Sequence, residues 1–343
     1  NVFVGIGVGA IYKGVLGFLK ALPSHTSVGL PALAKAQVGL EISPALLGVG
    51  FILNYPIAAV MVAGGFLSWV VIIPLIATFG DGLAAPFFPE MVKPISQMSA
   101  DELWTRYIRY IGAGAVAFAG ILTVIRSIPT MWGSLKIGLH EIMRRGIPAE
   151  GRTRTDRDLP MSFVFGAAVL VIALIAILPH AIGEGGPFWI RSIGAVCIAA
   201  FAFLFVTVSS RIVGMVGVTS NPTSGMTIVA LLGTSMLFAL LGWTDDFGKA
   251  AALTVGTVVA VAASMAGDIS QDLKTGYIIG ATPARQQMSE VMGAIVPAFF
   301  IAAAVWLLGE AFTFGSAELP APQATLMKTV IEGVLQADLP WGL

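Results

Sequence analysis

Charge is what this sequence has least of. Asp, Glu, Lys and Arg make up 11% of its 343 residues, where an average soluble domain carries about 25%. With 57% hydrophobic residues, too little polar surface remains to keep a folded chain of this length in water, so a lipid bilayer is the expected solvent. Cysteine occurs once, at Cys197, which excludes an intrachain disulfide and a thiolate metal cluster. His25, His140 and His180 lie far apart in predicted connections, so no metal site is expected. A phosphate loop is also missing: the one Gly-Lys pair, Gly248-Lys249, is followed by Ala250 and lacks the upstream glycine. ATP is therefore not the expected energy source, and no cofactor is expected. Nor is there a basic patch interleaved with aromatics, which argues against a nucleic-acid partner.

What is abundant is apolar sequence in blocks near the length that crosses a hydrocarbon core of about 30 Å. Nine spans are predicted: residues 1–22, 43–62, 64–79, 107–125, 161–178, 188–208, 226–243, 250–265 and 291–308. The second and third are barely separated and could form one broken segment. A transmembrane barrel would instead show alternating strands of about ten residues. The expected fold is all-α, a polytopic transmembrane helix bundle of about nine spans with broken or re-entrant helices, forming a single transport domain over residues 1–343. Because Asn1 stands inside a hydrophobic run and Leu343 follows no polar tail, the sequence is expected to be a fragment of a longer chain rather than to open with a signal peptide.

Lys and Arg near span ends mark the cytoplasmic side. Arg126 and the stretch 127–160 hold Arg126, Lys136, Arg144, Arg145, Arg152, Arg154 and Arg157, so 127–160 is expected to be a basic cytoplasmic loop. Alternating outward puts residues 80–106, with Asp81, Glu90, Asp101 and Glu102, outside, and 267–290, with Lys274 and Arg285, inside. A multi-pass membrane location is expected.

One polar stretch, Val-Thr-Ser-Asn-Pro-Thr-Ser-Gly-Met-Thr-Ile at 218–228, interrupts the apolar blocks. A backbone that leaves the helix inside lipid must have its polar groups satisfied by protein or by a wet cavity. Pro222 and Gly225 favour such a departure, with a new helix starting near Asn221 and Thr219, Ser220 or Asn221 as its cap. Half-helix ends facing a central site are how many secondary transporters hold anionic groups and coupling ions. The plainer reading is interhelical glue, with Gly214, Gly217 and Gly225 allowing close packing. Thr219, Ser220, Asn221, Thr223, Ser224 and Gly225, with Thr227 just beyond, are more polar than a simple cap requires, which favours a lined cavity. A second cluster follows, in which Asp268 and Asp272 are four apart and would share a helix face with Lys274 close by; such carboxylates can carry a proton or bind a cation. Asn54-Tyr55-Pro56 and Gly64-Gly65 interrupt an earlier pair of spans and are a candidate opposing broken element. Gly5, Gly7 and Gly9 suit tight contacts within or between subunits, so a homo-oligomer is possible.

Residues 210–228, Ser-Arg-Ile-Val-Gly-Met-Val-Gly-Val-Thr-Ser-Asn-Pro-Thr-Ser-Gly-Met-Thr-Ile, resemble the signature of the oligopeptide transporter (OPT) family, which includes the yellow stripe-like metal-chelate carriers. Gly-Asp-Ile-Ser-Gln-Asp-Leu-Lys-Thr-Gly-Tyr at 267–277 with Ala-Thr-Pro at 281–283, and Leu-Pro-Ala-Pro-Gln-Ala-Thr at 319–325, resemble two further blocks. The resemblance covers roughly the C-terminal half of such a protein and is closest to the bacterial branch. It implies import of small peptides or peptide-like metal chelates coupled to protons. The alternatives are a passive channel or structural membrane subunit and, least favoured, an intramembrane aspartyl protease echoed in Ala266-Gly267-Asp268, which would need a facing second aspartate.

Overall fold

The computed structural model describes residues 2–17, 25–41, 44–143, 153–182, 186–215, 217, 221–316, 319 and 321–335. The chain divides into two compact units, Asn1–Gly112 and Ala113–Trp341.

In the first unit, α1 (Val2–Gly17) precedes an antiparallel hairpin of β1 (His25–Gly29) and β2 (Gln37–Glu41) in which Val28 faces Val38. Lys35, at φ 57° in the hairpin turn, donates to the Ile95 and Ser96 carbonyls at 2.6 and 3.0 Å, which ties the turn to the segment ahead of the next helix. One helical run follows: α2 (Pro44–Phe66), a π-helical stretch (Leu67–Ile72) and α3 (Ile73–Gly80). The break expected around residues 54–65 is therefore absent. Pro56 is accommodated within α2, and the change of register falls later, where the Ile73 N–H reaches the Ser68 carbonyl and the Ser68 hydroxyl takes up the Gly64 carbonyl at 2.9 Å. Substituting side-chain and i−5 hydrogen bonds lets the run continue without orphaned backbone groups. A second π-helical stretch (Trp104–Ile108) links α4 (Ala100–Leu103) to α5 (Arg109–Met143), and Trp69 and Trp104 stack between the two, 6.5 Å apart.

The second unit holds the rest of α5, then α6 (Met161–Ile177), α7 (Phe188–Met215), α8 (Thr223–Leu240), α9 (Asp246–Ile279), α10 (Pro283–Ala311) and α11 (Pro322–Leu335). Its core lies where α7, α8 and α9 meet. Between apolar helices in lipid, attraction comes from close packing and hydrogen bonds rather than from expulsion of water. The sequence of α9 is built for that, because Gly248, Ala252, Gly256 and Ala263 stand on its buried face with Val255 and Val259, and Leu231 of α8 fills the space over Gly256. By contrast α6 and α10 bury no residue, as helices do when their faces are left for lipid or further protein.

Among the described residues seven helical stretches are long and apolar enough to cross a membrane. Two of the nine predicted spans have merged, and α1, at 16 residues, is shorter than a full crossing. The predicted inner connection 267–290 is also mostly helix: α9 runs on to Ile279 and α10 starts at Pro283, leaving a three-residue turn with Gly280 at φ 74°. At 34 residues α9 is about 51 Å long at 1.5 Å per residue, well beyond the hydrocarbon thickness. Likewise α5 extends to Met143, so the first part of the expected basic loop is helical. Its last part docks on the α9–α10 turn. Arg154 donates to the Gly280 carbonyl and the Thr282 hydroxyl at 2.7 and 2.8 Å, the Ala284 N–H to the Arg157 carbonyl, and Gln287 pairs with Leu159 and Asp158. Residues 153–160 and 280–287 therefore lie against each other at one end of the second unit.

In the connection between α3 and α4, the nearly buried Glu90 carboxylate accepts from the Val92 and Lys93 N–H groups and pairs with Arg106 Nε at 2.9 Å. The Val92 hydrogen bond, with those of Lys93 and the guanidinium, holds its pKa below the ordinary 4.5. A depressed carboxylate contributes stability that is complete above its unfolded pKa and is lost as pH falls through the lower folded value. Glu90→Ala is expected to destabilise the first unit by about 1–3 kcal/mol. The difference in melting temperature from the parent, measured on detergent-purified protein, should be full at pH 7 and shrink below pH 4.5; equal melting curves at pH 7 would contradict it.

Candidate functional site

Helix α7 stops at Met215, and α8 begins at Thr223. Within this interval Gly217 has φ 134°, a backbone region that side chains other than glycine's rarely enter. Thr219 and Ser220 lie outside the described residues. Asn221 and Thr223 are half-buried, Ser224 is exposed and Gly225 is buried.

Asn221 does not cap α8 as its spacing suggested. The N-cap position belongs to Pro222, which has no side-chain capping bond. The Asn221 carboxamide turns instead toward α7 and α9: its Oδ1 lies 3.1 Å from the Ser209 hydroxyl, and its Nδ2 donates to the Ala263 carbonyl at 3.4 Å. Ser209, wholly buried, also donates to the Ala263 carbonyl. Glycine fits the α9 position beneath, because a Cβ on Gly267 would lie 2.8 Å from Asn221 Nδ2, 3.0 Å from Val213 Cγ2 and 3.3 Å from Ser209 Oγ and would force these side chains to shift. One buried polar knot thus joins the body of α7, the entry to α8 and the middle of α9.

Gly225 serves packing. A Cβ there would lie 2.7 Å from Gly120 Cα on α5, and one on Gly120 would lie 2.5 Å from the Gly225 carbonyl oxygen, so the two backbones touch. Its N–H remains in the first turn of α8, where helix N–H groups have no partner in the preceding turn. Thr227, one turn on, returns its hydroxyl to the Thr223 carbonyl at 2.8 Å.

Across the break, the last carbonyls of α7 are taken by α9. Gln271 Nε2 donates to the Val213 carbonyl at 3.2 Å, and Lys274 Nζ to the Gly214 carbonyl at 2.7 Å. Asp268 and Asp272 stand on the same helix, both exposed, with the Asp272 carbonyl accepting from Gln286 of α10. The structure therefore brings the two polar sequence clusters together, but through Asn221, Gly267, Gln271 and Lys274 rather than through the carboxylates. Sequence spacing missed Ser209, Gly120 and the roles of Gln271 and Lys274. It also missed Arg191, nearly buried, which donates to the Ile177 carbonyl at the end of α6. Elsewhere, in the first unit, a groove of about 610 Å³ lies between the hairpin and residues 62–70, with Gln37, Trp69 and Asp101 in its walls.

Within a set of apolar spans the chain is interrupted where a half-buried amide and a buried hydroxyl meet, and comparison with known proteins gives the family. The family model described as OPT oligopeptide transporter protein matches residues 2–343, and the chain belongs to that family. It is 28% identical to a putative oligopeptide transporter of Haemophilus influenzae, over 98% of this chain and 56% of that protein. It is 26% identical to the probable metal-nicotianamine transporter YSL8 of Arabidopsis thaliana (86% of this chain, 42% of that protein) and 24% identical to YSL12 of Oryza sativa subsp. japonica (90% and 43%). The chain spans about half the length of these curated relatives. Family and spans together make it a multi-pass membrane protein.

Adding one methyl group tests the knot. Gly267→Ala is expected to cost about 1–3 kcal/mol through overpacking and to lower the melting temperature of the detergent-purified protein. Gly293→Ala on α10, where nothing lies within 4 Å, should not. Equal melting of the two variants would contradict the tight contact.

Proposed function

We propose that the chain carries the substrate site of a secondary active importer of small peptides or peptide-like metal chelates, driven by a proton gradient across a bacterial inner membrane. The observation that carries this reading is the start of α8, where among the described residues no side chain caps the helix. With Asn221 engaged in the knot, no side chain among the described residues caps the first-turn N–H groups around Thr223, Ser224 and Gly225, and the positive end of the helix dipole suits an anionic ligand. Peptides and amino-acid-derived chelates both present carboxylates and amides, the groups such an end receives. The names of the relatives, oligopeptide transporter and metal-nicotianamine transporter, fit those two substrate classes.

In this reading Thr219, Ser220, Asn221, Thr223, Ser224 and Gly225 form the substrate-binding wall. Asp268 and Asp272, exposed on the helix that anchors the break, are the coupling carboxylates: protonation at one side of the membrane and release at the other link the gradient to the break through α9. Substrate release follows when α9 and the α7–α8 break change position together.

Proteoliposomes containing the intact protein test this directly, with radiolabelled trialanine and iron–nicotianamine as probes. Uptake is expected to accelerate under an inward proton gradient and to collapse with an uncoupler. Thr223→Val, which leaves the knot's hydrogen bonds in place, and Asn221→Ala are expected to raise KM, while Asp268→Asn or Asp272→Asn should flatten the pH dependence of uptake. Flux indifferent to the gradient would favour a channel, and no flux of either probe would favour a structural subunit.

A further inference from the structure

The first unit holds a cavity of its own. The groove of about 610 Å³ between the hairpin and residues 62–70 has Ser27, Gln37, Gly65, Trp69 and Asp101 in its walls, and its volume falls in the range of small-ligand sites. It is built from the sequence feature that looked like a broken span. Gly65 presents no side chain, and nothing lies within 4 Å of where its Cβ would stand, so the floor is open there. Two residues on, the chain enters the π-helical stretch Leu67–Ile72, whose wider turn interrupts the α-helical rows of side chains. Trp69, in that stretch, is fixed by stacking on Trp104 of the second π-helical stretch, at 6.5 Å and an interplanar angle of 9°. One wall is thus a held aromatic ring among aliphatic side chains.

The opposite wall supplies a single charge. Around it the other charged groups are engaged: Glu90 with Arg106 at 2.9 Å, Glu102 with Lys93 at 2.6 Å, and Lys35 with the Ile95 and Ser96 carbonyls. Asp101 differs. It is exposed, its Oδ1 accepts from Gln37 Nε2 at 3.2 Å, and no cation pairs with it among the described residues. Neither Lys nor Arg lines the groove. An anionic guest would meet that carboxylate as a like charge, and an acyl chain would desolvate it without a partner. A guest with an ammonium group satisfies it, and the face of a tryptophan attracts the same charge. We infer that this groove binds the amino end of a short peptide: Asp101 receives the ammonium, Trp69 packs against the first residue, and Gln37 and Ser27 offer hydrogen bonds to its amides. The groove stands on this geometry alone, and the inference rests on the carrier reading only for the peptide being cargo.

Protection of a thiol in the groove tests it. Ser27→Cys is placed in a Cys197→Ala background of the intact protein in phosphatidylglycerol nanodiscs, and its modification by N-ethylmaleimide is followed at increasing trialanine. Trialanine is expected to slow the modification. N-acetyl-trialanine, which lacks the ammonium, should need about tenfold more for the same protection, as should trialanine acting on Asp101→Asn, because each removes one charged partner. Gly65→Leu, whose Cβ meets no neighbour, should fill the floor and abolish protection at an unchanged melting temperature. Absence of protection by trialanine, equal protection by the acetylated peptide, or a parent-like response of Asp101→Asn overturns the inference. So does protection that disappears when phosphatidylethanolamine replaces phosphatidylglycerol, which would assign the groove to a lipid headgroup. Trialanine uptake by proteoliposomes keeps the two readings apart: protection without uptake leaves the groove and removes the carrier, and uptake without protection does the reverse.

Discussion

The entry to α8 depends on one contact, the meeting of Ser209, Asn221 and the Ala263 carbonyl over the bare backbone of Gly267. A chain in lipid can leave the helix only where other protein satisfies the freed groups. Here a hydroxyl and an amide, drawn from two different elements, converge on one carbonyl of a third. The knot works because glycine stands beneath it: the amide needs the volume that any Cβ would occupy. Removing the convergence would take away the contact that ties Asn221, just ahead of α8, to α9, leaving Gln271 and Lys274 to hold the end of α7.

The same economy of side chains runs along the bundle. Apolar helices in a membrane gain little from hiding apolar surface, so contact must come from fit. Gly225 against Gly120 and Leu231 over Gly256 are two solutions of that kind, one backbone to backbone and one knob into a glycine hole. Carbonyls at helix ends are treated alike throughout: Lys274 and Gln271 serve α7, Arg191 serves α6 and Arg154 serves the turn after α9. Three long cationic side chains, Lys274, Arg191 and Arg154, thus meet backbone oxygens at helix ends, whereas Lys93, Arg106, Lys249 and Lys328 pair with carboxylates.

Much of this bundle was legible beforehand. Hydropathy located the helices from α6 to α10, and the interruption near Asn221 followed from Pro222, Gly225 and the hydroxyl cluster. Three things were not legible. The first is where helices end: residues 267–279 are polar enough to read as a loop, yet α9 continues because Gln271 and Lys274 find partners on α7. The second is the run through Gly64 and Gly65, where a π-helical register absorbs what looked like a break. The third is the direction of the Asn221 side chain. Local spacing offered it the helix start, whereas the competing partner, Ala263, lies 42 residues away in sequence, a distance no local pattern reports. The family resemblance, resting on three short blocks, identified relatives but assigned no contact to any of these residues.

A cryo-electron-microscopy structure of the intact protein in lipid nanodiscs, determined with bound alanyl-glutamyl-alanine, tests the central claim most directly. The expected result is ligand density with a carboxylate against the first turn of α8, beside Thr223 and Ser224, and Asn221 still turned into its contact with Ser209. Ligand held elsewhere, with the α7–α8 interval packed in dry protein and no path leading to it, would contradict the role assigned to the break.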